Sequence, residues 1–291
     1  MTKLDPGDVS AVVCTLNSTA SIRRCLESLR TAGVGQIIVV DGGSHDGTRE
    51  VAAELADIVL SDPGQGLGYA RNVGIKHTTG RLVMNFGSDN VLPRRSLEKL
   101  IYHMAESGVQ GTGSITRVDG RGYLARSMDA YRSVRFRAGR ASVIGTPTLF
   151  DGELLRQSPF DPTRRYSDDT ELCERWAKLF GAHFSIAPVE VLEIGKTTWS
   201  AIVDRCRIYG ISDYEIYNAG RTSGWTWRRK VRSLAHPLVV DLVDPGRALW
   251  FRESVKRLPF LFAFTFLRYL FWFRAITTAS SDRALGASNE Q

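Results

Sequence analysis

Cysteine is scarce and unpatterned. The 291 residues hold four, Cys14, Cys25, Cys173 and Cys206, with no CxxC pair and no ligand spacing. That argues against a zinc ribbon or a disulfide framework and predicts a reduced, cytoplasmic setting. A long apolar run near the start is also missing, since "MTKLDPGDVSAVVC" has no h-region, so no secretory signal is expected. No internal repeat is visible. The glycine-rich "PGQGLGYARNVGI" lacks the GK[ST] of a P-loop. No nucleic-acid recognition module can be found, so no nucleic-acid partner is expected. The formal charge of +7 then favours other carriers of phosphate, namely nucleotides or an anionic membrane surface.

What the chain does have is a regular alternation of short apolar runs and amphipathic stretches. Its length and 43% hydrophobic content support a globular protein with a sizeable core. "VSAVVC" (Val9 to Cys14) reads as a strand, and in the following "TLNSTASIRRCLESLRTAG" Ile22, Leu26 and Leu29 recur at helical spacing. Ser18 or Thr19 can cap that helix, and Gly33 can stop it. The pattern continues with "QIIVVD" and "DGTREVAAELA", "DIVLS" and "GLGYARNVGIKHT", then "RLVMNF" and "RRSLEKLIYHMAES". Strands alternating with helices predict an α/β fold with a mostly parallel sheet flanked by helices. Ligands of such sheets bind beyond the carboxyl ends of the strands. The second half is less regular: a basic helix in "RGYLARSMDAYRSVRFRAGR", a strand or loop in "ASVIGTPTLF", and a helix opened by acids in "SDDTELCERWAKLFG". Short strands in "AHFSIAPVEVLEIGK" and a helix in "WSAIVDRCRIYGISDYEIYNAG" complete it. Composition changes around Gly220 to Gly224. Residues 1–220 are therefore expected as one domain, and 221–291 as a basic, aromatic C-terminal helical extension ending in a disordered tail.

Polar residues that interrupt this pattern mark the candidate site. "VVDGGSHDGT" ends an apolar run on Asp41, and Asp and Gly are depleted inside strands. Asp41 is therefore read at a strand end, where its carboxylate meets a ligand or forms an Asx turn. Gly64, Gly66 and Gly68 permit close backbone approach, and a helix N-terminus beside Arg71 favours an anion. "NFGSDN" sets Asp89 just past another strand. "YSDDTEL" opens a helix with Asp168 and Asp169, a placement the helix dipole alone would favour.

In their order and spacing, "VVCTLNSTASIRRCLESL", "IIVVDGGSHDGT", "GLGYARNVGI", "GRLVMNFGSDN" and "RRYSDDTEL" resemble the family 2 glycosyltransferases of the GT-A fold, from about Val9 to Lys196. The resemblance implies a Rossmann-like GT-A domain moving a sugar, with inversion, from a nucleoside diphosphate sugar to an acceptor hydroxyl or phosphate. A UDP-sugar is the favoured donor, and a GDP-sugar stays open. The resemblance places Thr15, Asn17 and Asp41 at the base and ribose, and Gly68, Arg71 and Asn72 near the nucleotide and diphosphate. Ser88 and Asp89 fall on the metal motif, with Asp89 as the metal ligand and Ser88 as a substrate contact. Asp169 becomes the general base and Asp168 positions acceptor or base; neighbouring carboxylates raise one another's pKa. Arg164 and Arg165 are candidates for an acceptor phosphate. Two departures stand out. The acidic motif is reduced to Asp89, with Gly87 and Ser88 where a carboxylate is often found; one carboxylate with phosphate oxygens and waters can still hold Mg²⁺ or Mn²⁺. A histidine that often completes the metal shell is missing from "EIGK", where Lys196 either faces the diphosphate or is solvated. A nucleotidyltransferase would want a basic glycine-rich loop after the first strand, which "CTLNSTAS" lacks. The reduced acidic motif leaves open a sugar-nucleotide-binding, non-catalytic membrane module.

The last apolar stretch, Leu258 to Phe273 in "RLPFLFAFTFLRYLFWFRAI", carries Pro259 and Arg268 and is shorter than the ~20 residues of a spanning helix. With Arg252, Lys256, Arg257, Arg268 and Arg274 around it, it suits a helix lying in a membrane interface. The alternative is a helix packed on the catalytic domain or on a second subunit, which leaves a homo-oligomer open. "WTWRRKVR" sets two tryptophans beside arginines, as at a headgroup boundary. The expectation is a peripheral protein on the inner membrane face, with a lipid-linked or cell-envelope glycan acceptor.

Overall fold

The apolar runs of the first third form β1 (Val9–Thr15), β2 (Gln36–Asp41), β3 (Ile58–Ser61) and β4 (Leu82–Gly87). In the computed structural model, which describes residues 4–62, 64–164, 167–195, 197–222, 224–249 and 251–288, these strands run parallel in the order β3-β2-β1-β4. Both faces of these strands are covered, which is why they read as continuous apolar runs. Val9, Ala11, Val13, Ile37 and Val39 meet Ile22, Leu26 and Leu29 of α1 (Thr19–Thr31) on one side. Val12, Ile38, Val40 and Val83 meet Ala70 and Ile75 of α3 (Leu67–Ile75) on the other. α2 (Thr48–Leu55) follows β2. Gly33, at φ 80, ends α1 as expected. The start of α1 is held differently from the expectation, because the Ser18 hydroxyl makes no cap bond. The Thr19 amide donates instead to Asp46, and the Ser18 amide to the Thr48 hydroxyl.

The second half of the sheet is mixed. β5 (Asn90–Val91), α4 (Ser96–Ser107), β6 (Gly111–Asp119), α5 (Tyr123–Arg135), β7 (Gly139–Ala141), β8 (Thr148–Asp151), α6 (Gly152–Gln157), α7 (Asp168–Phe180) and β9 (Phe184–Ile194) follow in order. β8 lies between β4 and β6 and is antiparallel to both, β6 runs parallel to β9, and β5 and β7 pair antiparallel with β9. The parallel part is thus the half that carries Thr15, Asp41 and Asp89.

The chain divides into two compact units, Met1–Asp119 with Phe136–Gly195, and Gly120–Arg135 with Lys196–Gln291. The expected boundary near residue 220 falls inside the second unit, between α8 (Trp199–Thr222) and α9 (Trp227–Leu238). That unit is helical, adding a π-helical turn at Val239–Val243, α10 (Asp244–Ala248) and α11 (Phe251–Ser288), whose side chains are described for 255–277. α11 packs on α8 so closely that a Cβ on Gly210 would lie 2.5 Å from the Arg268 carbonyl oxygen. Phe260, Leu261, Phe264, Thr265, Arg268 and Trp272 form its buried face. The segment Val255–Thr277, 23 residues with mean hydropathy 1.3, is long and apolar enough to cross a membrane, and 33% of its apolar window is buried. The reading of a stretch too short to span is corrected by this length, because the helix runs on past both ends of the apolar core. A second correction concerns Arg268, which is 2% exposed and binds Asp213 and Asp241, so it cannot serve a lipid headgroup.

Candidate active site

Thr15 and Asp41 are register neighbours at the carboxyl ends of β1 and β2, while Gly87 ends β4 beside Cys14. The loops that follow these strands are stitched together. The Asp41 carboxylate accepts the Ser44 amide at 3.1 Å and the Ser44 hydroxyl at 2.5 Å. The Ser44 Oγ accepts the Asn17 amide at 2.9 Å, and the Asn17 side chain, at a residue with φ 48, accepts the His45 amide at 3.0 Å. The Ser18 and Ser88 hydroxyls lie 3.0 Å apart. Asp46 accepts the amides of Thr19 and Thr48, each at 3.1 Å. Hydrogen bonding by the Thr48 hydroxyl, aided by Thr19, holds its carboxyl down at about 2. The second acid of "DGGSHDG" therefore latches loops 16–18 and 42–48 together. The Thr15 hydroxyl is buried without a partner. Such a group costs ~1–3 kcal/mol.

The other half of the site hangs from α3. Arg71 Nη1 donates to Asp168 Oδ2 at 2.5 Å and to Asp169 Oδ1 at 2.7 Å, and Nη2 donates to the Thr146 hydroxyl at 2.6 Å. The guanidinium sits over the Phe160 ring at 5.0 Å, within cation–π range. Burial works against the Arg71 charge, but Asp168 and Asp169 more than offset it, so the group stays protonated. Burial pushes the Asp169 carboxyl up to about 6; Arg71 opposes the rise and Asp168 adds to it. Asp168 is buried, whereas the Asp169 side chain keeps 22% of its surface exposed. Burial pushes the Cys14 thiol up to about 12, and Arg71 and Asp168 act on it electrostatically, so both lie within electrostatic range of the end of β1. A partly exposed carboxylate titrating near 6 is ionised at neutral pH yet more basic than an ordinary one, which suits proton abstraction.

The residues of α3 thus have partners that the resemblance did not foresee. Arg71, placed by it near the diphosphate, gives three of its five N–H donors to two carboxylates and a threonine. Asn72 clamps the backbone of Phe160 at both ends, donating to its carbonyl at 2.7 Å and accepting its amide at 3.0 Å. Gly68 lets the loop lie on the helix, since a Cβ there would come 2.6 Å from the Asp161 carbonyl oxygen. Arg164 pairs with Asp161 at 3.7 Å. Arg165 and Lys196 lie outside the described residues. The Asp89 carbonyl accepts the Ile194 amide at 2.7 Å, tying the end of β9 to the loop after β4.

Among the described residues no group of three His, Cys, Asp or Glu side chains could hold a metal ion. Asp89 supplies one hard oxygen donor, and that set fits Mg²⁺ or Mn²⁺ only if phosphate oxygens and water complete the shell. The sequence reading missed Ser44, Asp46, Thr146 and Phe160 as parts of the site. Asp46 had a local signal, an acid two residues ahead of a helix. Thr146 and Phe160 had none, because only the fold brings them to Arg71.

Known proteins share this framework. A glycosyltransferase of Haloferax volcanii, AglE, is 26% identical over 157 residues, 49% of this chain and 51% of its own. The succinoglycan biosynthesis protein ExoO of Rhizobium meliloti is 34% identical over 109 residues, 35% of this chain and 31% of its own. A PGL/p-HBAD biosynthesis glycosyltransferase of Mycobacterium bovis is 34% identical over 91 residues, 28% and 36% of the two chains. The chain thus spans about half or less of the length of these relatives. Among solved structures, the mannosyltransferase PcManGT of Pyrobaculum calidifontis, in complex with GDP-Man and Mn²⁺, superimposes with a TM-score of 0.60 at 18% identity, over 98% of this chain and 81% of that one. S. aureus TarS 1-349 in complex with UDP-GlcNAc gives 0.53 at 18% identity, over 86% and 78%. The fold is that of the GT-A glycosyltransferases. The family model described as Glycosyl transferase family 2 matches residues 10–168, more than half of the sequence, and the chain belongs to that family.

Proposed function

We propose that the first unit carries an inverting glycosyltransferase site that moves a hexose from a nucleoside diphosphate sugar to a hydroxyl of a lipid-linked or cell-envelope glycan. The observation that carries the proposal is Asp169, raised to about 6 and held by Arg71 on a partly exposed face. Asp169 takes the proton of the acceptor hydroxyl as its oxygen attacks the anomeric carbon. The bond to the phosphate oxygen breaks on the opposite face, so a single displacement inverts the centre and releases the nucleoside diphosphate. Arg71 fixes the base and balances its charge, and Asp168 anchors Arg71. Thr15, Asn17 and Asp41 at the strand ends meet the base and ribose. Asp89 would hold a divalent cation together with phosphate oxygens and water, and the bound cation would supply positive charge to the departing diphosphate. The nucleotide sugars bound by PcManGT and TarS support this donor class, and UDP-sugars are favoured. The relative concerned with succinoglycan biosynthesis supports a glycan acceptor.

The test is transfer by the full chain from a panel of UDP-, GDP- and TDP-sugars with Mn²⁺, using membrane lipid extract as acceptor. Asp169→Asn should keep donor binding and lose ~10²–10⁴-fold in rate, the usual contribution of a general base. Near-normal turnover in that variant would remove Asp169 from the mechanism.

A further inference from the structure

The second unit carries most of the exposed large apolar side chains among the described residues, and on α9 they form a line. Trp227, Val231, Leu234 and Leu238 are 70%, 52%, 36% and 43% exposed. At ~100° per residue these positions fall within an arc of about 60°. The inward sector is occupied by buried Pro237 and half-buried Ser233, while exposed Arg228 and Arg232 flank the line on its other side. The helix is fixed rather than frayed: the Thr226 side chain accepts the Arg229 amide at 3.4 Å, and the Tyr269 hydroxyl donates to the Leu234 carbonyl at 2.7 Å. α11 presents a second aromatic line, Phe262, Phe266 and Phe273, at 57%, 67% and 57% exposure.

We infer that α9 is a docking helix that lies in the plane of an anionic phospholipid surface, with Trp227, Val231, Leu234 and Leu238 dipped into the acyl boundary and Arg228 and Arg232 at the headgroups. An apolar stripe bordered by arginines is the pattern of an interfacial helix, and tryptophan favours the headgroup level. A second copy of the chain is the poorer occupant. Symmetric pairing through one face apposes the same patch on both chains, which would bring the arginine flanks of two α9 helices together. The inference goes beyond the chemistry proposed for the first unit, since it concerns only where the second unit rests.

Co-sedimentation of the full chain with vesicles of phosphatidylcholine, alone or with one third phosphatidylglycerol, tests it. The protein should pellet with the anionic vesicles at low salt and release partly as salt rises, because only the arginine contribution is screened. Replacing Trp227, Val231, Leu234 and Leu238 by Ser should abolish pelleting with no change in the circular-dichroism melt. Arg228→Gln with Arg232→Gln should weaken partitioning about 25-fold, roughly five-fold per charge. Failure of the wild type to pellet at low salt overturns the inference, as does equal pelleting of the serine variant. A dimer in sedimentation velocity that the serine substitutions dissolve also overturns it and assigns the face to a second copy. Donor binding by the first unit is read separately, so loss of one result leaves the other standing.

Discussion

Arg268→Met should unfold the second unit far more readily than its place in an apolar helix suggests. Its Nε and Nη2 bind the two oxygens of Asp213 at 2.6 and 2.8 Å, and Nη1 binds both oxygens of Asp241 at 2.8 Å. Methionine matches the stem in shape and leaves two buried carboxylates behind. Removing one partner from such a group costs about 3–5 kcal/mol, because a buried charge is left uncompensated. Asp241 keeps some support, from the Tyr131 hydroxyl at 2.7 Å and from Arg135 at 3.5 Å, so the lower end, about 3 kcal/mol, is expected. For a domain of this size that is a fall in Tm of roughly 12–24 °C at ~4–8 °C per kcal/mol. The triple variant with Asp213→Asn and Asp241→Asn should recover most of the loss, since neutral replacement of a whole buried ionic group is often tolerated. The assay is scanning calorimetry without lipid or detergent. An arginine serving headgroups would instead change stability by no more than about 0.5 kcal/mol, as ordinary surface substitutions do. A loss below about 1 kcal/mol, or a triple variant no better than the single one, would refute the buried network.

Two further outcomes concern the first unit. Because the base must be ionised, kcat/KM should rise through pH about 6 and level off above it. Arg71→Leu removes the group that holds the Asp169 carboxyl down, so the rising limb should move to higher pH; a slower enzyme with an unmoved limb would show Arg71 to be merely structural. Asp89→Ala should weaken calorimetric binding of UDP mainly when Mn²⁺ is present, and equal binding by both proteins across a metal titration would take Asp89 out of the metal role.

The legible parts of this fold were those written in consecutive residues. β1, β2 and β4 announce themselves because strands buried on both faces need unbroken apolar runs, and Asp41 stands out because an acid can end such a run but not continue it. Asp168 and Asp169 were visible as acids opening a helix. The position of β8 was not visible, since its four residues say nothing of which strands they will separate. Arg71 could be noticed but not assigned, as its carboxylate partners lie 97 and 98 residues further on. Arg268 was misread for a related reason. An arginine inside an apolar run looks the same whether it snorkels to water or is buried, and the decision rests with Asp213 and Asp241, 55 and 27 residues away.

The clamp of α3 on the loop beneath it also orders events along the growing chain. Asn72 waits 88 residues for Phe160, and Arg71 waits 98 for Asp169. Contacts of such separation form late, because loop closure must precede any reward from them. The strand ends that would grip a nucleotide are complete by Asp89, whereas the acid pair needs β8 seated and α7 begun. A chain ending near residue 160 lacks Asp168 and Asp169 and leaves the Arg71 guanidinium without the carboxylates that offset its burial.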